Sequence, residues 1–305
     1  MRTTSPEAYP LISLVSINYN QAEVTRDFLE SCRGLTYPNY EVILVDNASR
    51  QVLSSVINAA DYPGVTIVRS EENLGFTGGN NLGMEAARGD YFFIVNNDTE
   101  LTPTLLDDLL KPFQQDSRIG VTCPKIKFYD HPDIVQYAGY NPMNLYTGTA
   151  TPVGLNERDG ERFNHSGYTN FAHGCAMLVK REVIDKVGRF AERFFLYYEE
   201  LDWSQRIKDG GFLIYYQASA LILHKESVSV GPANPLKTYY LTRNRILYMR
   251  RHGSAFQRVI FYLFFATCVL PKHVLTYLIK GKFTHAKAFL KGLRWNLTSP
   301  STSAV

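Results

Sequence analysis

Residues 91–99 read Tyr91-Phe92-Phe93-Ile94-Val95-Asn96-Asn97-Asp98-Thr99. Five apolar, β-preferring residues in succession suit a strand buried on both faces, and the switch to four polar residues marks where it emerges into solvent. In an open α/β sheet, ligands bind at the carboxyl ends of the strands. Asp98 is therefore a candidate metal or substrate ligand. The competing reading is that Asn and Asp end many strands because they suit turns.

The chain before this stretch repeats the pattern. Residues 11–17 (LISLVSI) form an apolar run that breaks into Asn18-Tyr19-Asn20, and residues 40–45 (YEVILV) break into Asp46-Asn47-Ala48-Ser49. A third short run covers residues 65–68, with helical spacing predicted over 22–32 and 52–60. A Gly-rich segment, residues 72–81, then leads into a helix ending near Arg88. Strands alternating with helices predict an α/β fold with a mostly parallel sheet and right-handed crossovers. Asn18, Asp46 and Asp98 then share one rim, which makes them a site and not three scattered turns. Gly75, Gly78, Gly79 and Gly83 fit neither the dinucleotide fingerprint nor the P-loop, so NAD and P-loop chemistry are disfavoured. The plain reading of this segment is a flexible strand-to-helix connection.

Beyond Asp98, a helix is predicted over 103–115 and a strand over 120–128. Residues 130–169 carry Tyr137, Tyr140, Tyr146 and Tyr168 with little periodicity, as either an irregular insertion or an aromatic segment that closes over substrate. A strand over 176–179 and a helix over 181–187 precede an aromatic run that delivers Glu199, Glu200 and Asp202 to the start of a helix over 200–208. Asp202 and Arg206 form an i, i+4 pair, a structural use for Asp202. Glu199 and Glu200 are then either a general base with a tuned pKa or an ordinary acidic helix start. Strands over 212–216 and 221–223 follow, the second ending in His224, which would complement a lone Asp98 in holding a divalent cation.

The 305 residues, 45% of them hydrophobic, suffice for one large or two modest domains. Cys32, Cys123, Cys175 and Cys268 lie far apart without a C-x-x-C pair, which argues against a zinc site or a disulfide framework and for a reducing compartment. The N-terminus has no apolar core, so no secretory signal is expected. The net charge of +3 is unevenly spread: residues 227–305 hold twelve Lys and Arg and no acid, leaving 20 of the 32 basic residues against all 29 acidic ones before them. An anionic partner for this tail is expected. Residues 259–270 are apolar for twelve residues and stop at Pro271-Lys272-His273, short of the roughly 20 needed to span a bilayer. With Lys280, Lys282, Lys287, Lys291 and Arg294 among aromatics, the tail suits helices lying in a membrane interface; a soluble cap or a homodimer interface are the other uses. No nucleic acid is expected, because the basic residues interleave with long aliphatic runs. The sequence thus divides into residues 1–235 and a basic, amphipathic helical region, 236–305.

Eight segments, VSINYN, VDNAS, NLGFTGGNN, VNNDT, HGCAMLVKR, FFLYYEELDWSQRI, LILHKES and YYLTRNR, occur in the order seen in family 2 glycosyltransferases of the GT-A fold. Across residues 11–251 the chain resembles that family, especially its bacterial rhamnosyltransferase-like branch. The resemblance implies a GT-A catalytic domain over 1–235, and an inverting transfer of a sugar, rhamnose included, from a nucleoside-diphosphate donor. It implies a cell-envelope glycan or polyprenyl-linked acceptor met at the cytoplasmic face of the membrane. Asn18, Tyr19, Asn20 and Asp46 would contact the nucleotide base, Asn73, Gly75 and Asn80 would lie near the ribose and phosphates, and Asn47, Asn96 and Asn97 complete the nucleotide-sugar-binding set. Asn96-Asn97-Asp98 stands where the family has D-x-D, His224 matches its late metal-binding histidine, and the metal is Mg2+ or Mn2+. Glu200 matches the acid that usually serves as base, with Glu199 and Asp202 as runners-up. Two departures stand out: the D-x-D position keeps one carboxylate, and the base is Glu where Asp is commoner. The alternative is a non-catalytic module that binds a nucleotide sugar or glycan.

Overall fold

The structure, a computed structural model, describes residues 9–225 and 234–299. The first half builds the expected alternation: β1 (Ile12–Asn18), α1 (Ala22–Cys32), β2 (Tyr40–Asn47), β3 (Val65–Ser70), α2 (Gly75–Ala86) and β4 (Tyr91–Val95). β5 (Thr99–Leu101), α3 (Leu105–Gln115), β6 (Ile119–Phe128), β7 (Ile134–Tyr137), β8 (Glu157–Arg158) and β9 (Gly167–Thr169) follow. The body closes with β10 (Ala176–Lys180), α4 (Arg181–Val187), α5 (Glu199–Asp209) and β11 (Leu213–His224). Beyond it lie α6 (Pro235–His252), α7 (Ala255–Phe264), α8 (Leu270–Ile279) and α9 (Phe283–Thr298).

The main path of the sheet runs β3-β2-β1-β4-β10-β6-β11-β5. β3, β2, β1 and β4 are parallel, as alternation with helices demands, but β10 enters antiparallel between β4 and β6. The sheet is therefore mixed around a parallel core. The reversal follows from connectivity: after β4 the chain makes a long excursion and returns at the same rim, where Asn96 N donates to Cys175 O at 2.9 Å. The strands predicted over 212–216 and 221–223 are one strand, β11, with a register irregularity between Gln217 and Leu221. The helix expected over 52–60 is replaced by short 3-10 turns at Leu53–Ser55 and Ala59–Asp61. Side chains compete with the helix there: Asp46 takes the Leu53 amide and Asn58 the Ala60 amide.

Glycines in α2 set how closely this helix lies on the sheet. A Cβ on Gly79 would meet Ile17 Cδ1 at 2.8 Å, and one on Gly83 would collide with Val15. The main core fills both sides of the central strands with Leu14, Val15, Ile43, Leu44, Phe93 and Leu178, all buried. A second core joins Phe171, Ala191, Phe194 and Leu201 of the body to Leu247, Tyr248, Phe261, Phe265 and Phe289 of the C-terminal helices.

The apolar run does not stop at Pro271. α7, a π-helical turn over Phe265–Val269 and α8 form one helix, Ala255–Ile279, of 25 residues. Proline cannot donate to the carbonyl four residues back and clashes with it; the widened turn before Pro271 absorbs both problems. By length and composition this helix is long and apolar enough to cross a membrane, and 17% of its most apolar window is buried. Phe261, Phe265 and Val269 commit one face to the protein.

Candidate active site

The register of the sheet assembles the site. Asn18 lies opposite Asp46 across β1 and β2, and Thr99 opposite His224 across β5 and β11. Lys225 N donates to Asp98 O at 2.9 Å, tying the end of β11 to the turn after β4. A cleft of about 580 Å³ opens at this rim. It is lined by Tyr19, Asn47, Asn73, Gly75, Asn96, Asn97 and Asp98 from the first half of the chain, and by Glu199, Glu200 and His224 from the second.

Asp98 and His224 are both 6% exposed, and His224 Nε2 stands 3.1 Å from Asp98 Oδ1. Neither atom makes a well-formed hydrogen bond. His224 Nδ1 faces Gln136 Oε1 at 2.8 Å; the carbonyl oxygen there accepts the Nδ1 proton, so Nε2, which faces Asp98, is the nitrogen that a cation would take in place of a proton. Two buried ligand atoms that face each other, one oxygen and one nitrogen, suit a divalent cation. Their separation matches adjacent ligands at about 2.1 Å around an octahedral ion, roughly 3.0 Å apart. Among the described residues no group of three or more His, Cys, Asp or Glu side chains is placed to hold a metal ion, so further ligands would come from elsewhere. Burial opposes charging of His224, but the Cys175 sulfur and the Asp98 carboxylate outweigh it and raise the imidazole pKa well above its ordinary value. His173, beside them, is pushed down to about 3 by burial and by His224, and its Nδ1 accepts the Cys175 amide at 3.1 Å.

Glu199 and Glu200 each keep one buried carboxylate oxygen without a hydrogen-bond partner. Burial, then the charge of Glu200, lifts Glu199 well above the carboxylate range, and burial lifts Glu200 to about 7. The two titrate together, and near neutrality the pair retains a proton. Asp202 behaves differently. It is fully buried, accepts from Arg206 Nε at 2.9 Å and from Arg251 Nε and His252 Nε2 at 2.8 Å, and does not line the cleft. Burial opposes its ionisation, but His252, Arg206 and Arg251 overcome this and hold its pKa below the ordinary value.

Several expected nucleotide contacts are engaged elsewhere. Asn18 donates to Ser49 Oγ and accepts from Gln21 N and Thr25 Oγ1; Asn97 donates to that same Thr25 oxygen. Asp46 accepts from the Ser49 and Leu53 amides and pairs with Arg69 at 2.6 Å. Asn20 Oδ1 accepts the Arg50 amide, and Asn80 donates to Phe76 O. Asn18, Asn20, Asp46 and Asn80 therefore shape the rim without lining the cleft. Asn47 bridges Asn73 and Gly75, while Tyr19, 42% exposed, offers its ring at the mouth. The first turn of α2 is not free to cradle phosphate: Asn47 takes Leu74 N, Asn73 takes Gly75 N, and Phe195 O takes Phe76 N and Thr77 N.

Sequence reasoning missed Gln136, His173 and the loop before α5. Phe195, Tyr197 and Tyr198 all have positive φ, at 63°, 69° and 70°. Phe195, at φ 63° and ψ −53° with Leu196 N bonded to Phe194 O at 2.7 Å, forms a rare and strained γ-turn. Such backbone costs on the order of 1–3 kcal/mol per residue and persists only where its surroundings over-determine it. A Cβ on Gly75, itself at φ 68°, would meet Phe195 O at 2.5 Å, which explains the glycine.

The family model for glycosyl transferase family 2 matches residues 13–188, more than half of the chain. The chain belongs to glycosyl transferase family 2. This family 2 protein is 26% identical over 265 residues to the N-acetylglucosaminyl-diphospho-decaprenol L-rhamnosyltransferase of Mycobacterium tuberculosis, covering 80% of this chain and 86% of that one. It is 27% identical over 261 residues to the uncharacterised protein y4gI of Sinorhizobium fredii, of whose length it spans 28%. Among solved structures, a mannosyltransferase of Pyrobaculum calidifontis in complex with GDP-Man and Mn2+ shares the fold at a TM-score of 0.61 and 16% identity, over 96% of this chain and 88% of that one. The GT-A assignment of the fold rests on that likeness together with the mixed sheet and its parallel core.

Proposed function

We propose that this glycosyltransferase transfers a sugar from a nucleoside diphosphate to an acceptor hydroxyl with inversion, with Glu200 as general base and Asp98 and His224 as the protein's metal ligands. One observation supports the reading: a single cleft holds a carboxylate pair with raised pKa and unpartnered oxygens and, separately, a buried Asp–His pair. Glu200, poised near neutrality, removes the acceptor proton as the oxygen attacks the anomeric carbon and the bond to the leaving phosphate breaks. Glu199 stays protonated beside it, so a single negative charge faces the acceptor. A divalent cation, Mg2+ or Mn2+, would offset the charge of the departing diphosphate. Asn96 and Asn97 supply polar contacts on the same rim, and Asn47 and Asn73 hold the nucleotide side.

The mycobacterial relative's name supports rhamnose as the sugar and a polyprenyl-diphosphate-linked glycan as the acceptor. A peripheral place on the cytoplasmic membrane face agrees with the tail. Phe256, Leu263, Ile279 and Phe283 are 60–75% exposed, and Lys272, Lys280 and Lys282 accompany them. The helix Ala255–Ile279 then lies in the interface with its other face on the protein.

Hydrolysis of UDP-, dTDP- and GDP-sugars, with and without Mn2+ or Mg2+, tests the reaction. At least one donor should turn over only with metal, and Glu200→Gln should remove that turnover while leaving nucleotide binding intact. If no donor binds or turns over with either metal, the enzyme reading fails.

A further inference from the structure

The segment that carries Glu199 and Glu200 into the cleft is held by α6, in a way the family reading does not use. Each backbone carbonyl from residue 193 to 198 has a partner. Arg243 Nη2 donates to Arg193 O and Phe194 O at 2.6 and 2.7 Å, and Asn244 Nδ2 donates to Phe194 O, Leu196 O and Tyr197 O at 2.7–2.9 Å. Phe195 O takes the α2 amides, and Tyr198 O the Asp202 amide. The Phe195 ring stacks on Tyr240 of α6, with centroids 5.2 Å apart. One turn of α6 thus satisfies a γ-turn and two further positive-φ residues that no local pattern would stabilise. Eight residues on, Arg251 and His252 grip Asp202 in the first turn of α5.

We infer that Arg243 and Asn244 form a positioning clamp that fixes the reach of the Glu199–Glu200 carboxylates into the cleft, making α6 part of the catalytic unit. This rests on the reading of Glu200 as base. Neither clamp residue lines the cleft, and Arg243 and Asn244 are 6% and 0% exposed, so they act through the loop alone. Removing the Asn244 amide leaves three buried carbonyls competing for fewer donors, and the loop relieves this by rotating out of its positive-φ conformation. Glu199 follows Tyr198 directly, so that rotation displaces both carboxylates. A displacement of about 1 Å is enough to cost roughly a hundredfold in rate.

The test uses the full chain, with kcat, donor KM and melting temperature measured on Asn244→Asp and Arg243→Lys. The first is isosteric and turns acceptors toward carbonyls; the second keeps the charge and loses the fork. Asn244→Asp should lower kcat about a hundredfold, and Arg243→Lys about tenfold, each exceeding any rise in donor KM by at least about tenfold. A merely structural pair would lower the melting temperature and the folded fraction while kcat per folded enzyme stayed within about threefold of wild type. That result overturns the clamp. Where Asn244→Asp does not fold, Arg243→Lys decides alone by the same criterion. Where wild-type enzyme turns over no donor, the base reading has failed, and the clamp is read by amide hydrogen exchange. Asn244→Asp should then speed exchange across residues 195–202 and leave α1 unchanged, and equal exchange overturns it.

Discussion

As the proposed base, Glu200 must be ionised to accept a proton, and burial holds it neutral up to about pH 7. kcat should therefore rise with pH through an inflection near that value and level off above it, while Glu200→Gln stays flat at background. Stability should move the opposite way. The folded pKa lies above the ordinary 4.5, so between those values the unfolded chain has lost a proton that the folded one keeps. Stability attributable to this group is present below pH 4.5 and lost as pH rises through about 7. The melting temperature of wild type should fall more steeply between pH 5 and pH 8 than that of Glu200→Gln; parallel curves would remove the raised pKa from the account. At the proposed metal pair, Gln136→Leu removes the acceptor that orients His224, and should weaken Mn2+ binding about 10–100-fold in a calorimetric titration with nucleotide present. Asp98→Ala should abolish turnover, whereas Asn96→Ala and Asn97→Ala should only reduce it.

At the scale of elements, α2 is the clearest case of a motif whose use could not be read from its letters. Its glycines look like a ligand loop, yet its first amides are spent on Asn47, Asn73 and Phe195, and Gly83 lies against Val15 and Val45. Gly83→Ala should cost about 1–3 kcal/mol in denaturant unfolding by forcing α2 off the sheet. β1, β2 and β4 were legible because uninterrupted apolar runs ending in polar clusters have few other uses, and α1 and α4 because their apolar spacing is unambiguous. The pairing of Asp98 with His224 was legible only as two strand ends, since it takes the β5–β11 register to bring residues 126 positions apart within 3.1 Å. The antiparallel entry of β10 and the γ-turn at Phe195 were not legible. Both depend on where distant chain returns, and Phe195 adopts a backbone that its own side chain disfavours. The helix through Pro271 was missed for a related reason: proline signals a stop unless the preceding turn widens.

Across the whole molecule, charge and apolar exposure coincide. The basic tail presents Leu275, Leu278, Ile279 and Phe283, at 49–75% exposure, near Lys272, Lys280 and Lys282. Full-length protein should float with vesicles containing anionic phospholipid and release as salt is raised, because exposed lysines are screened within about 10 Å at 0.1 M. Replacing Ile279 and Phe283 by Ser should reduce flotation severalfold with the melting temperature held, since both side chains point away from the second core. Equal flotation of the two proteins would assign this face to another partner. The attachment of Asp202 to Arg251 and His252 also imposes an order in time. The acid sits at the head of α5, and beside the local Arg206 its partners Arg251 and His252 lie about fifty residues later. During synthesis the sheet and the donor side can assemble while the later chain is still within the ribosome. The carboxylates of α5 reach their working geometry only once α6 has emerged, so a nascent chain halted before residue 252 should bind nucleotide sugar without transferring it.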